Sequence, residues 1–529
     1  MKIKTQTAAV VLPVLCSVLY FLFKLFNSDI IIHNSGYTYL RYAYNIISGC
    51  GYSYNADRIY TYGTAGVLNT FIIVILKSIF KSTLGAYILV FSAALFAGAS
   101  LLGLYLLLFD RVDLKKFEMC VFGSFAVTWI IFFTPFIKFV LAGEDTCLSI
   151  ALIILTIALL YRLEKEFRLL NVVLYCVSFW LCYNARIENL FFISIFAFLF
   201  VFLRGFTPNN KKVLLSLLVI IVITDAAVKY FVFNSFLPLP FYAKKIGFLN
   251  YFPTGKQSSI YNLKLFLLYA SPYVLVLIFT VTKSAVKTVI LYLLPLLSLI
   301  IILMFADHSE AANARYFYPL LFPLVILSFY TLSKFTDSFI INKDVLMILF
   351  KGRTIYAGLF ILLFCVINFG LENYYDSRYS QGKGDSTQQV SLWKKYPPLP
   401  DNVRSELLTD IINTLPGNSK AAVLLAGFSL PGKKLNLIDL SGCNNTEIAK
   451  NGFSFDIISQ ISPDIILLPD SSFKSLNEMI VRNEGFNKEF IYLPNVLKSG
   501  LAINRKNYQA AKDILDILRN YYRKQAVRK

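Results

Sequence analysis

The first 370 or so positions of the chain are a succession of apolar runs broken by short polar loops, and the run lengths carry the first inference. A helix crossing a bilayer needs roughly 20 predominantly apolar residues. Runs at 8–26, 84–109, 117–140, 147–162, 169–184, 190–203, 213–234, 264–282, 288–305, 317–333 and 354–370 fit about eleven crossings on that rule. The first run, from Ala8 to Phe26, is too long for a signal-peptide core and lacks a small-residue cleavage site, so it reads as a retained anchor. A further run, Ala65 to Phe80, disturbs the parity. Counting it as a crossing would place Arg111, Lys115 and Lys116 outside, against the positive-inside bias, so it is expected to be a partial or re-entrant helix buried in protein.

The charges between the runs orient them. Lys2 and Lys4, Arg111/Lys115/Lys116, Arg162/Lys165/Arg168, Arg204/Lys211/Lys212, Lys283/Lys287 and Lys334/Lys343/Lys351/Arg353 all fall on one side, which is expected to be cytoplasmic. The opposite side receives the loop 27–64, "LAGEDT" (141–146), "ARIEN" (185–189), the loop 235–263, "DHSEAANAR" (307–315) and everything beyond about 371. Residues 378–401 carry Gly, Ser and Pro and read as a linker. From about 402, helical patterns at 403–414, 472–484 and 508–524 alternate with the apolar runs "AAVLLA", "DIILLP" and "SGLAIN". The expected fold class is an all-α polytopic membrane protein, about eleven transmembrane helices plus a partial one, with a C-terminal α/β soluble outer domain. Its divisions are a membrane module at 1–371, a linker at 372–401 and the outer domain at 402–529.

Composition agrees. The chain is 57% hydrophobic and 16% aromatic, far above a soluble average. Its net charge of +20 does not redirect the reading to nucleic acid, because no basic stripe interleaved with aromatics is present. Lys and Arg flanking helices beside anionic lipid account for it. Of the 8 cysteines most lie in apolar segments and none forms a CxxC pair, which argues against a metal or disulfide framework; a Cys50–Cys443 pairing stays open. With only His33 and His308, and no HExxH spacing, a zinc site has no support.

The polar chemistry gathers in the outer loops. "YTYLRYAYN" sets Tyr37, Leu40, Arg41 and Tyr44 on adjoining helical faces, the pattern of a surface helix with rings at the headgroups and Arg41 toward phosphate. An aromatic belt that merely anchors helix ends is the plainer account. Gly49, Gly51 and Gly63 follow as expected turn residues. "AGEDTCL" bears Glu144 and Asp145 at a helix start, where acids also serve as caps and dipole partners. "ARIEN" places Arg186 and Glu188 at membrane depth, where ionisable groups are paired or functional. "FLPLPFYAKKIG" offers Lys244 and Lys245 to a lipid-linked phosphate, and "FADHSEAANARYFYP" combines Asp307, His308, Glu310 and Arg315.

Taken in order, these segments resemble the bacterial GT-C class of integral-membrane glycosyltransferases. The resemblance is nearest to the terminal arabinofuranosyltransferases and related envelope mannosyltransferase-like proteins. "NSGYTYLRYAYNIISGCGYSYN" is similar to that family's first outer loop at Tyr37, Arg41, Tyr42, Ala43, Asn45, Gly49, Gly51 and Asn55. "AGEDT", "RIEN", "LPLPFYAK" and "AD…RYFYP" resemble its later motifs at Asp145, at Arg186 and Glu188, at Pro238, Phe241, Tyr242, Ala243 and Lys244, and at Asp307, Arg315 and Pro319. In the outer domain, "LNLIDLSG" and "SPDIILL" are similar to two more of its segments. The resemblance implies a GT-C fold in the bacterial inner membrane, with the N-terminus cytoplasmic and the C-terminal domain extracytoplasmic. It also implies transfer of a sugar, with inversion, from a polyprenyl-phosphate donor to a cell-envelope glycan or lipid acceptor on the outer face. Asp29, Asp145, Glu188 and Asp307 are the acid candidates. Arg41, Lys244, Lys245, Arg186 and Arg315 are the candidates for the donor phosphate. Tyr37, Tyr42, Asn45, Tyr242 and His308 would line the substrate cavity, and a divalent cation (Mg or Mn) assists some members. The chain departs from the family at Asn34 and Ser35, which stand in place of its paired acids, and at Tyr60, which stands in place of a later one. A carboxylate lost there leaves three readings: another acid such as Asp29 or Asp57 substitutes, Asp145 or Asp307 serves from another loop, or the protein only binds lipid-linked sugars. A lipid-linked-sugar transporter or flippase is the reading from a different class.

Overall fold

The structure is a computed structural model. It describes residues 17–28, 32, 34–111, 117–245, 255–304 and 314–338 of the membrane module. Of the C-terminal domain, called the outer domain after its expected side, it describes 419–423, 436–468, 474–493, 500–507, 512–514 and 516–517.

The apolar runs fold as helices. In chain order they are α1 (Ser17–Asn27), α2 (Asn34–Ile47), α3 (Val67–Ile79), α4 (Gly85–Arg111), α5 (Phe117–Phe133), α6 (Phe136–Leu141) and α7 (Thr146–Lys165). There follow α8 (Leu169–Ala185), α9 (Asn189–Leu203), α10 (Pro208–Phe233), α11 (Leu239–Lys245), α12 (Gly255–Thr280), α13 (Val286–Met304) and α14 (Leu321–Ser338). Among the described residues, 6 helical stretches are long and apolar enough to cross a membrane, the signature of a multi-pass membrane protein. The expected crossing 354–370, the linker 372–401 and the helical pattern 403–414 lie outside the described residues.

Two expectations are refined. The run 117–140 is not one helix: α5 ends before Pro135 and the chain restarts as α6, because Pro removes an amide donor and disfavours helical geometry in the residue before it. The run 65–80 forms α3, whose 13 residues span about 20 Å at the usual rise, less than the roughly 30 Å core of a bilayer. It buries Asn69, Thr70 and Ile73 and packs on α2, α4 and α8.

The helices divide into an inner and an outer set. The spanning window of α7 is 72% buried and that of α14, with the turn before it, 78%, while that of α10 is only 17%. Ile220, Ile223 and Phe231 of α10 point away from the protein, as lipid-facing side chains do. Between inner helices, polar groups find each other: Trp129 Nε1 donates to the Tyr269 carbonyl at 3.0 Å, and the Tyr161 and Tyr292 hydroxyls lie 3.1 Å apart. Such pairing is required where no water is available to an orphaned donor.

The outer domain is built on a mixed five-stranded sheet. Its strands are β1 (Lys420–Val423), β2 (Asn436–Asp439), β3 (Ile465–Leu467), β4 (Phe490–Leu493) and β5 (Leu501–Asn504), in the order β2-β1-β3-β5-β4. The first three are parallel, with Ala421 opposite both Leu437 and Ile465, and β5 runs antiparallel to β3 and β4. Helices α15 (Thr446–Asn451), α16 (Phe455–Ile461), α17 (Lys474–Val481) and α18 (Glu484–Glu489) connect the strands. Ile438, Ile448, Ile458, Ile466, Phe486 and Ala502 belong to its core. Among the described residues β2 is an edge strand.

Candidate functional site

Three interhelical segments and one tyrosine assemble a buried ionic cluster. Before α7 the chain turns at Gly143, whose φ of 65° is the left-handed region that favours glycine. The turn delivers Glu144 and Asp145. Asp145 occupies the N-cap position of α7, yet its carboxylate caps no amide there and turns inward instead. Between α8 and α9, Arg186 leaves the helix in an extended conformation and Glu188 opens the next one. Arg315 follows Ala314, which is held at φ 59° while its amide donates to Asn262 Oδ1 of α12 at 2.8 Å. A non-glycine residue in that region stores roughly 1–3 kcal/mol of strain, and here it sits directly beside a site residue.

The geometry is tight. Arg315 Nη2 donates to Asp145 Oδ1 at 3.1 Å, and its Nε lies 3.0 Å from Glu144 Oε2. Tyr39, from α2, donates its hydroxyl to Asp145 Oδ2 at 2.6 Å. Arg186 Nε stands 3.9 Å from Asp145 Oδ2 and 4.0 Å from Glu188 Oε2. Both guanidiniums lie over the Tyr316 ring, at 4.8 Å for Arg186 and 5.6 Å for Arg315. Gly66 touches the same place: a Cβ there would meet the Ala185 carbonyl and lie 3.1 Å from the Tyr39 hydroxyl. Ser149 and Asn189 bond reciprocally beneath, tying α7 to the start of α9.

Among the described residues the charge here comes from three carboxylates facing two guanidiniums. Its distribution is uneven. Burial pushes the Asp145 carboxyl up, but Arg186, Arg315 and the Tyr39 hydroxyl outweigh burial and leave it below the ordinary aspartate range. Asp145 is thus fixed as a carboxylate and fully engaged. Glu188 is the least paired acid: its Oε2 is buried and accepts no hydrogen bond among the described residues. Its side chain keeps 19% of its exposure, against 1% for Asp145.

The structure therefore brings together Asp145, Arg186, Glu188 and Arg315 of the expected residues and separates others from them. Arg41 lies elsewhere, with Nε on the Tyr54 carbonyl at 2.6 Å and Nη2 on Asn55 Oδ1 at 3.0 Å. Burial lowers the pKa of its guanidinium. The pattern that suggested a phosphate-facing arginine on a surface helix was right about the helix, but in the fold Arg41 is spent on the loop that follows it. Asn45 holds the same loop, donating to the Ser53 and Tyr54 carbonyls at 2.9 and 3.0 Å. Tyr42 is fully buried and bonds Thr61 and Asn444. Tyr37 packs at the margin of the cluster around Leu40, Ala43 and Leu89, and Tyr242 beside Leu239, Ala243 and Ala449. Cys50 and Cys443 are free thiols. Asp29, Asp307 and His308 lie outside the described residues, as do the side chains of Lys244 and Lys245 at the end of α11.

Two features escaped the sequence reading. Tyr39, not Tyr37, is the first-loop tyrosine that reaches the acid. In α10, Lys229 Nζ sits 2.6 Å from Asp225 Oδ2, whose other oxygen accepts from Trp180 Nε1 at 2.9 Å. An Asp and a Lys four residues apart inside an apolar run was the available signal. No model of a known protein family matches the chain, and no curated protein matches it.

Proposed function

We propose that the chain is an integral-membrane glycosyltransferase that moves a sugar from a polyprenyl-phosphate donor to a cell-envelope glycan or lipid acceptor on the outer face of the bacterial inner membrane. One observation carries this reading. Segments far apart in sequence, each resembling a motif of the GT-C class, meet in a single buried cluster through Asp145, Arg186, Glu188 and Arg315. An ordinary loop-to-loop ion pair needs two of these groups, not four from three separate interhelical segments.

In this reading the residues divide the work. Glu188, with an oxygen that accepts no hydrogen bond among the described residues, takes the proton of the acceptor hydroxyl. The hydroxyl oxygen bonds to the anomeric carbon from one side as the bond from that carbon to the phosphate oxygen breaks on the other, which inverts the centre. The electron pair leaves with the polyprenyl phosphate, and Arg186 and Arg315 stand where its charge grows. Asp145 reacts with nothing. It holds both arginines and Tyr39 in place. Guanidiniums already stand beside Glu144 and Asp145, so among the described residues arginines rather than a divalent cation face these two carboxylates.

A second reading, a relative that binds lipid-linked sugars without transferring them, draws on one observation. Ser35 stands in place of an acid of the family, and its buried hydroxyl has no hydrogen-bond partner among the described residues. Mass spectrometry of envelope glycans and lipid-linked sugars from a strain lacking the gene separates the two. Complementation by the wild-type chain but not by Glu188→Gln is expected to restore the missing sugar. Restoration by Glu188→Gln removes Glu188 as the base, and an unchanged glycan profile in the deletion strain removes the transferase.

A further inference from the structure

The first loop, between α2 and α3, folds as a small hairpin rather than as an open connection. Ser53 and Tyr60 form an antiparallel bridge, the Thr61 amide donates to the Tyr52 carbonyl at 3.2 Å, and Arg58 takes a left-handed φ of 63° at the tip. Asn55 stands at that tip, and its carboxamide is aimed at the outer domain. Its Nδ2 donates to the Leu437 carbonyl at 3.0 Å, and its Oδ1 accepts from the Leu437 amide at 2.9 Å.

That pairing has a reason in the sheet. Along β2, Asn436 and Leu440 send their amides to β1, to the Ser419 and Val423 carbonyls. Leu437, between them, turns its amide and carbonyl the other way, toward the edge where no further strand follows among the described residues. An unpaired edge is a template for stray pairing and is normally covered or charged. Here one side-chain amide supplies the donor and the acceptor that a neighbouring strand would have supplied. Arg41 Nη2 donates to the same Oδ1, which fixes the orientation of the amide.

A second contact lies beside it. The turn after β2 is organised by Asp439, which accepts from the Asn444 amide at 3.0 Å and from Asn444 Nδ2 at 2.8 Å. Asn444 Oδ1 in turn accepts from the Tyr42 hydroxyl at 3.2 Å. Gly63 is needed for this approach: a Cβ there would collide with the Asn444 carboxamide and the Tyr42 hydroxyl. Its role is close packing against the outer domain, not the tight turn expected from the sequence. Farther along, Ala449 of α15 packs on Leu239 and Ala243 of α11, and Lys450 Nζ donates to the Asn234 carbonyl at 3.2 Å.

We infer that the outer domain is latched onto the membrane module at the edge of β2, and that Arg41 and Asn55 are positioning residues acting through α2 on the buried ionic cluster. The helix is the link. Tyr39 and Arg41 are two residues apart, hence about 200° apart around α2. One side of the helix therefore holds Asp145 through Tyr39, and the other holds β2 through Arg41 and Asn55. Releasing the domain frees one side of a 14-residue helix whose other side sets the cluster. The inference stands apart from the transferase reading, and sugar transfer is not its readout.

The test is peptide-resolved hydrogen exchange on the full chain in lipid nanodiscs, comparing wild type with Asn55→Ala and Gly63→Ala. The first removes the carboxamide; the second removes no hydrogen-bonding group and wedges Asn444 of the outer domain away from Tyr42 of α2. Both are expected to speed exchange in β2 and in α2 by about tenfold or more, the factor that 1.4 kcal/mol represents, while β3 keeps its protection. Unchanged β2 exchange in either variant would overturn the latch. Faster β2 exchange without a change in α2 would overturn the coupling. Loss of protection across β3 as well would mean that the domain unfolds rather than undocks, which contradicts both.

Discussion

Asp145 and Asp439 are equally buried, at 1% exposure each, and the protein treats them in opposite ways. Asp145 lies among two guanidiniums and a phenol in the membrane module. Among the described residues, Asp439 in the outer domain meets neutral donors: the Ser441 amide at 2.9 Å, the Ser441 hydroxyl at 2.5 Å, and the amide and side chain of Asn444. Burial raises the pKa of both. At Asp145 the arginines reverse that effect; at Asp439 the four hydrogen bonds reduce it without reversing it, and the carboxyl stays above its ordinary range. Neutral donors are enough to shape a turn, but holding a carboxylate ionised at depth takes full opposite charges. The first arrangement builds an electrostatic site, the second a structural joint.

The same substitution in both places tests this most severely. Asp145→Asn leaves Arg186 and Arg315 without their shared partner and is expected to cost about 3–5 kcal/mol, the usual penalty for breaking a buried pair, read as a large fall in melting temperature in nanodiscs. Tyr39→Phe removes one hydrogen bond to a buried charge and should cost about 2 kcal/mol in the same measurement. Asp439→Asn should cost only about 1 kcal/mol, because losing acceptors is partly offset by losing a carboxyl that burial disfavours. A loss at Asp439 equal to that at Asp145 would erase the distinction.

The smallest effect is the sign of the pH dependence. The Asp145 pKa is depressed in the folded state, so its stabilisation is complete above the unfolded value and is lost as pH falls through the folded one. The Asp439 pKa is raised, so its contribution is complete below the unfolded value of 3.8 and is lost as pH rises through the folded one. Melting curves across acid pH should therefore show wild type gaining on Asp439→Asn as pH falls toward the ordinary aspartate value. Below that value, wild type should lose ground to Asp145→Asn. Parallel shifts in the two comparisons would refute the assignment.

Much of this was legible in the chain and some could not be. Hydropathy marked the apolar helices because membrane burial writes a long, local signal, and Asp145, Arg186, Glu188 and Arg315 stood out as charges at helix ends. Pro135 also lay in plain view as a break, but the apolar residues on both sides of it made one long run. The partner of Asn55 in the outer domain left no local trace. Asn55 meets Leu437 across 382 positions, and nothing near either residue encodes that pairing. "NLID" and "FIYL" are four-residue strands, too short for periodicity to declare. Asp225 and Lys229 were masked by the hydrophobicity of the helix that carries them.

The central claim is that this cluster is a transfer centre with Glu188 as its base. The most direct measurement is release of polyprenyl phosphate from a polyprenyl-phosphate sugar by the purified chain in proteoliposomes supplied with extracted envelope glycan and lipid as acceptor, comparing wild type with Glu188→Gln at matched melting temperature. Loss of a general base predicts a fall of at least about 100-fold in turnover with the fold intact. Turnover within about twofold of wild type would fall far outside what losing a general base allows, and would contradict it.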